Sequence, residues 1–289
     1  MSDLARLRRR FAEDTCGRAG VRTAALAEAL ASVPREVFLP PGPWTVMGVG
    51  DAFGGRLTQD ADPRHLYQDV SVAIDPSRQL YNGSPSSVLP ALDALGLQAG
   101  SRVLHLGCGL GYYTALMATV AGASGRVRAV EVDGQLAAQA RRNLASFGEV
   151  EVAHGDGRAV PDGPLDAILV HAGVTHPLDT WMDALVPGGR LVLPITATMP
   201  QLGPLGKGLM IVLTRRDDGT FDCRVLGFVM IYSALGIRDD SLNAVIGATL
   251  MKGPPPPSAR LRRDRHEPCQ TCWLHTPVSC LDALRGRNP

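Results

Sequence analysis

The sequence is poor in cysteine, in lysine and in aromatic residues, and it holds no uninterrupted apolar run long enough to cross a bilayer. Six cysteines in 289 residues are too few for a disulfide framework, and Cys16, Cys108 and Cys223 stand isolated, so reduced thiols in a cytoplasmic enzyme are expected. Two lysines stand beside 27 arginines, yet 28 acidic residues bring the formal net charge to +1. That balance lacks the long-range field that draws nucleic acid or an anionic membrane, and neither partner is expected. Arg6, Arg8, Arg9 and Arg10 are followed by no apolar stretch of the kind a secretory signal needs. Leu4, Leu7 and Phe11 interleave them, the pattern of a helix with a solvated basic face.

What is present is a core-forming composition, 45% hydrophobic and 20% charged. Three regions are expected: a helical and loop-rich region at 1–83 that serves substrate or acts as a lid, an α/β core at 84–235, and a linker with an appendage at 236–289. In the first, TAALAEALAS (23–32) reads as a helix ended by Pro34, and residues 40–80 read as irregular. Ser84 and Pro85 suit the N-cap and first position of a helix. Strands then alternate with helices: strands at 102–107, 126–132, 149–155, 166–172 and 190–195, and helices near 112–121, 134–147 and 178–185. That alternation makes a doubly wound, mostly parallel sheet.

Two further apolar, β-branched runs, GLMIVLTRR and TFDCRVLGFVMIYSAL, flank Asp217, Asp218 and Gly219 and read as an antiparallel hairpin. A hairpin closing a parallel sheet fits the Rossmann-like class I methyltransferase variant of this fold better than the dinucleotide-binding one. Beyond Gly236, the tetraproline 254–257 and SARLRRDRHE read as linker, and CQTCWLHTPVSC as a short tail in which Trp273 and Leu274 dock on the core. Cys269 and Cys272 have metal-knuckle spacing, but His275 follows Cys272 too closely and Cys280 brings no second pair, so no metal site is assigned.

The chemistry concentrates between Val103 and Gly157. A strand runs into Gly107, Cys108, Gly109, Leu110 and Gly111 and then into a helix. Glycines let the backbone approach a ligand, and the helix start offers free N–H donors. Glu131 ends the next strand, where a carboxylate accepts hydrogen bonds from both ribose hydroxyls of a nucleoside. Asp156 and Gly157 follow the third strand, a carboxylate suited to an adenine amino group beside a residue that leaves room for the ring. Together these point to a nucleoside-bearing cofactor.

With these residues in place the sequence resembles the protein-L-isoaspartate (D-aspartate) O-methyltransferase family, as a divergent member with a C-terminal extension. The matching pieces are VPREVFLP at 33–40, SPSSV at 84–88, GSRVLHLGCGLGYYTALMA at 100–118, GRVRAVEVDGQLAAQARRNL at 125–144, GDG at 155–157, LDAILVHAG at 165–173 and LVPGGRLVLP at 185–194. The resemblance implies S-adenosyl-L-methionine as cofactor, with S-adenosyl-L-homocysteine as product. It implies Gly107, Gly109 and Gly111 around the methionine part, Glu131 at the ribose, and Asp156 with Gly157 at the adenine; Cys108 and Val132 complete the expected cofactor-binding set. The substrate implied is a peptide or protein.

The departures bear on the acceptor. The family usually carries an active-site serine where this chain has Gly83 in Tyr81, Asn82, Gly83, Ser84, Pro85. Ser84 is the adjacent catalytic candidate and also a candidate helix cap; Tyr81, Asn82 and Gly83 are candidates to read substrate. His171, where the family usually has threonine, is a second catalytic candidate, able to serve as a base for a weakly acidic acceptor. An aspartyl-type carboxylate needs no base at neutral pH. The leading expectation is O-methylation of an aspartyl or isoaspartyl carboxylate, with a dedicated natural-product peptide precursor and succinimide formation as its specialised form. The rivals are methylation of an unrelated small-molecule oxygen or nitrogen, and a cofactor-binding interaction protein without turnover.

Overall fold

The structure is a computed structural model; it describes residues 2–283 apart from 52, 53, 162, 200, 202, 254 and 257. Two prolines of the tetraproline stretch, 254 and 257, and the last six residues of the appendage lie outside the described residues. In chain order the helices and strands are α1 (Asp3–Ala19), α2 (Ala24–Ser32), β1 (Thr45–Met47), β2 (Arg56–Leu57), β3 (Ser71–Asp75), β4 (Leu80–Tyr81), α3 (Pro85–Ala94), β5 (Arg102–Leu106), α4 (Tyr112–Ala121), β6 (Arg126–Glu131), α5 (Gly134–Asn143), β7 (Val150–His154), β8 (Leu165–Val170), α6 (Asp179–Ala184), β9 (Leu185–Thr198), β10 (Leu205–Arg215), β11 (Phe221–Tyr232), α7 (Asn243–Met251), β12 (Ser258–Arg262), β13 (Cys272–His275) and β14 (Cys280–Ala283). The chain divides into two compact units, residues 1–101 with 108–155, and residues 102–107 with 156–289. No helix among the described residues is long and apolar enough to cross a membrane.

The first unit opens with α1, capped by the Ser2 hydroxyl on the Ala5 N–H and ended by Gly20 at φ +66°. Phe11, Ala12, Thr15 and Cys16 form its buried face. Arg9 leaves that face to pair with Glu28 of α2, at 3.0 Å. Residues 40–80 are not irregular: they form a four-stranded sheet in the order β2, β1, β3, β4, antiparallel throughout. Trp44, Val46, Leu66, Val70 and Val72 make a small core of their own beneath it. Three of these strands have only two or three residues, too few to display a period of two. Also in this unit, β6 and β7 run parallel with Val127 opposite Val150 and Glu131 opposite His154. The Asp133 carboxylate caps α5 by accepting from the Gln135 and Leu136 N–H groups. That helix stops at Asn143 rather than reaching 147, because the chain leaves helical geometry at Leu144, whose side chain is buried.

In the second unit β5, β8 and β9 are parallel neighbours, Val103 opposite Ala167 and Ile168 opposite Leu191. β8 from Ala167 to Val170 and β9 from Leu191 to Ile195 are continuous apolar, buried runs, as strands covered on both faces require. The hairpin between β10 and β11 is present, and β10 pairs antiparallel with β9. Part of the stretch read as linker forms β12, which pairs with β11 and continues the antiparallel ladder to β14 and β13. Trp273 and Leu274 line a cavity with Ile195, Leu209, Ile211 and Ile246, the docking the tail's apolar residues suggested.

Candidate functional site

The glycine loop is built from backbone geometry. Gly107, Gly109 and Gly111 all hold positive φ, +78°, +55° and +95°, a region in which a side chain is strained. A Cβ on Gly111 would lie 2.7 Å from Leu144 Cδ1, so helix α4 starts directly against the end of α5. Asn143 Nδ2 donates to the Leu110 carbonyl at 2.9 Å and fixes the loop from the same side. Within the first unit the loop is locked to β6: the Cys108 N–H donates to the Val130 carbonyl, and the Gly109 N–H to Glu131 Oε2 at 2.8 Å. Glu131 Oε1 accepts from the Asp133 N–H at 3.1 Å. Glu131 is 7% exposed, so two backbone donors aim a nearly buried carboxylate while each oxygen keeps acceptor capacity to spare.

Neighbouring groups have other duties. Asp133 is held below the usual carboxylate range chiefly by its bond from Arg78, at 2.6 Å, and then by the first turn of α5. The Val132 carbonyl meets His154 Nε2 at 3.0 Å while its side chain faces outward. Burial pushes the Cys108 thiol up and keeps it protonated.

The acceptor segment is built differently. Arg35, fully buried, donates to the carbonyls of Leu66 (3.1 Å), Val70 (2.8 Å) and Gly83 (3.4 Å) and to the Asn82 carboxamide oxygen (3.2 Å). The same Asn82 oxygen accepts from the Val72 N–H at 2.9 Å, so Asn82 braces β3 and β4. The Tyr113 hydroxyl, from the first turn of α4, donates to the Gly83 carbonyl at 2.9 Å. Burial pushes that phenol up, which keeps it a donor. Gly83 sits at φ +76°. Tyr81 donates to the Gly54 carbonyl at 2.7 Å.

Ser84 occupies the N-cap position of α3, but its hydroxyl does not cap the helix; it bonds the Ser87 hydroxyl at 2.8 Å. Asp69 takes over that duty by accepting from the Ser86 N–H at 2.9 Å. The expected cap is thus corrected, and the Ser84 hydroxyl makes no bond to the helix backbone.

In the second unit a Cβ on Gly107 would sit 3.3 Å from the His171 carbonyl oxygen, and one on Gly157 3.0 Å from Leu106 Cδ2. Trp181 Nε1 donates to the Gly157 carbonyl at 2.8 Å. Asp156 accepts from both the backbone N–H and the guanidinium of Arg158, and Arg158 also donates to the Gly236 carbonyl. His171 stacks on His105 with ring centroids 5.8 Å apart. Burial pushes His171 down to about 4, so its imidazole is neutral at pH 7.

The family model described as Protein-L-isoaspartate(D-aspartate) O-methyltransferase (PCMT) matches residues 57–230. The chain belongs to this family. A protein-L-isoaspartate O-methyltransferase of Methylorubrum extorquens (strain PA1) is 33% identical over 244 residues, covering 82% of this chain and 93% of that protein. One from Aeropyrum pernix is 32% identical, covering 74% of each. A solved protein-L-isoaspartate O-methyltransferase superposes with a TM-score of 0.64 at 25% identity over 85% of this chain and 68% of its own. A Plasmodium falciparum protein solved with S-adenosyl-L-homocysteine shares the fold, with a TM-score of 0.59 at 19% identity over 78% of this chain and 97% of its own.

The chain is accordingly an S-adenosyl-L-methionine-dependent methyltransferase of this family. Its residues fit that cofactor: glycine backbone in conformations that exclude side chains, and one nearly buried carboxylate already aimed by two N–H groups. Sequence reasoning missed Arg35, Arg78, Tyr113 and Arg158. Arg35 carried the one available signal, a charge inside the apolar piece VPREVFLP that matched the family.

Proposed function

We propose that this methyltransferase esterifies an aspartyl-type side-chain carboxylate of a peptide. When bound, the cofactor supplies an electrophilic methyl group on a sulfonium, and Glu131 holds its ribose, Asp156 and Gly157 its adenine, and the backbone of Gly107, Gly109 and Gly111 its methionine part. Val132 and Cys108 flank those positions. Ser84, whose hydroxyl the helix does not use, is the group offered to the acceptor carboxylate, and the backbone at Gly83 is the floor of its binding segment.

The observation that carries this reading is the neutral, partly buried His171. A histidine titrating near 4 is a poor base at pH 7, which favours an acceptor that arrives already ionised. A carboxylate with an ordinary value of about 4 does so. Transfer then rests on alignment, with reacting atoms about 3–3.5 Å apart. Gly83, in place of the family's usual serine, supports a specialised acceptor: a dedicated peptide whose aspartyl ester is displaced by the following backbone nitrogen, closing a succinimide with loss of methanol.

Methyl-labelled cofactor and a panel of isoaspartyl, aspartyl and carboxylate-free peptides test this. Base-labile label on either acidic class is the expected result. Label that resists base, or no label on any peptide while the cofactor stays bound, overturns it.

A further inference from the structure

The cysteines and histidines of the C-terminal extension are brought together by the strand pairing rather than by their spacing in sequence. In a regular strand Cys272 and His275, three residues apart, would point to opposite faces. A β-bulge intervenes, because the pairing passes from Cys272 opposite Asp282 directly to Leu274 opposite Leu281. The extra residue returns Cys272 and His275 to one face, shared with Cys280, which pairs directly with His275. Leu274 and Leu281 take the other face and line the apolar cavity under α7. His266 joins from the segment after β12, with Nδ1 2.9 Å from the Asp264 carbonyl and Nε2 3.5 Å from Cys272 Sγ.

We propose that His266, Cys272, His275 and Cys280 bind one Zn2+ in a closed structural site that staples β13 and β14 to the segment following β12. The four ligand atoms all lie within 4.8 Å of one another. A tetrahedral zinc with bonds of about 2.0–2.3 Å sets its ligands roughly 3.3–3.8 Å apart, so modest side-chain rotation closes the set. His275 Nδ1 is buried and has no hydrogen-bond partner among the described residues, a costly state that a metal bond relieves. The Asp264 carbonyl accepts from His266 Nδ1–H, which leaves the Nε2 lone pair facing the cluster. Two thiolates and two imidazoles suit zinc and leave no position open for water, which marks a structural site. Each cysteine releases its proton on binding, so two thiolates neutralise the dication. Cys269 Sγ lies 3.2 Å from Cys272 Sγ but outside the four-atom cluster.

The test is elemental analysis of the full chain after gel filtration, alongside Cys272→Ser, Cys280→Ser, His275→Ala and Cys269→Ser. One zinc per chain is expected in the parent and in Cys269→Ser, with loss from the other three. The metal-free parent titrated with Co2+ provides a measurement independent of variant folding. Intense tetrahedral d–d bands with sulfur-to-cobalt charge transfer are expected, and His266→Ala should weaken cobalt binding at least about tenfold. A parent without zinc that also gives no tetrahedral cobalt spectrum overturns the proposal, as does zinc retained in both Cys272→Ser and Cys280→Ser.

Discussion

The glycine loop and the acceptor segment each hand the chain from a strand to a helix, and they are held in different ways. The loop is fixed chiefly by its own backbone, three glycines at positive φ and the Cys108 N–H on the Val130 carbonyl, with the Glu131 carboxylate and the Asn143 carboxamide as added anchors. The segment at 81–84 is fixed by side chains sent from elsewhere, Arg35 and Tyr113 above all. A site gripped by backbone keeps its shape while neighbouring side chains change; one gripped by distant side chains changes whenever they do.

The strongest break should come at Arg35. Arg35→Met strips donors from three carbonyls and the Asn82 side chain, and a loss of about 3–5 kcal/mol is expected, read from urea unfolding. Because Arg35 pins the acceptor segment, peptide KM should rise in whatever folded protein remains. Glu131→Ala should act on the other side of the comparison: the cofactor Kd rises by roughly 10- to 150-fold, the worth of one charge-assisted bond, measured by titration calorimetry.

A smaller effect separates the two regions. Tyr113→Phe removes the bond to the Gly83 carbonyl, so kcat/KM for peptide should fall about 2- to 10-fold with the cofactor Kd unchanged. Gly83→Ser installs the family's usual residue at φ +76°, costing about 1–2 kcal/mol of backbone strain visible as a lower Tm. A shift in preference toward isoaspartyl peptides in that variant would mean that the residue alone, and not the segment's backbone, sets the acceptor.

A further expected effect is a pH dependence that arises in the second unit. His171 binds a proton near its ordinary value of 6.5 when unfolded but only near 4 when folded. Its stabilising contribution is therefore fully present above pH 6.5 and is lost as pH falls from 6.5 toward 4. Unfolding midpoints at about pH 7 and about pH 5 should differ more for the parent chain than for His171→Gln.

The same contrast explains what the sequence made legible. The strands and helices from β5 to β9 alternate regularly along the chain, and the glycine spacing with Glu131 is local to it, so core and cofactor residues could be read directly. The sheet β1 to β4 could not, since three of its strands are only two or three residues long. Asn82 and Tyr81 looked available to substrate because nothing in sequence links them to Arg35, Val72 or Gly54. His266 was passed over for a similar reason: the bulge that brings Cys272 into its reach is a feature of pairing, not of spacing.

The account turns on an acceptor that arrives ionised. Its most direct test is the pH dependence of methyl transfer to peptide at saturating cofactor, in the parent and in His171→Gln. A rate flat between about pH 6 and about pH 8 in both proteins is predicted, as a carboxylate with an ordinary value of about 4 requires. A rate that climbs steeply with pH to a plateau in the parent, and is lost in His171→Gln, would contradict it and make His171 the base for a less acidic acceptor.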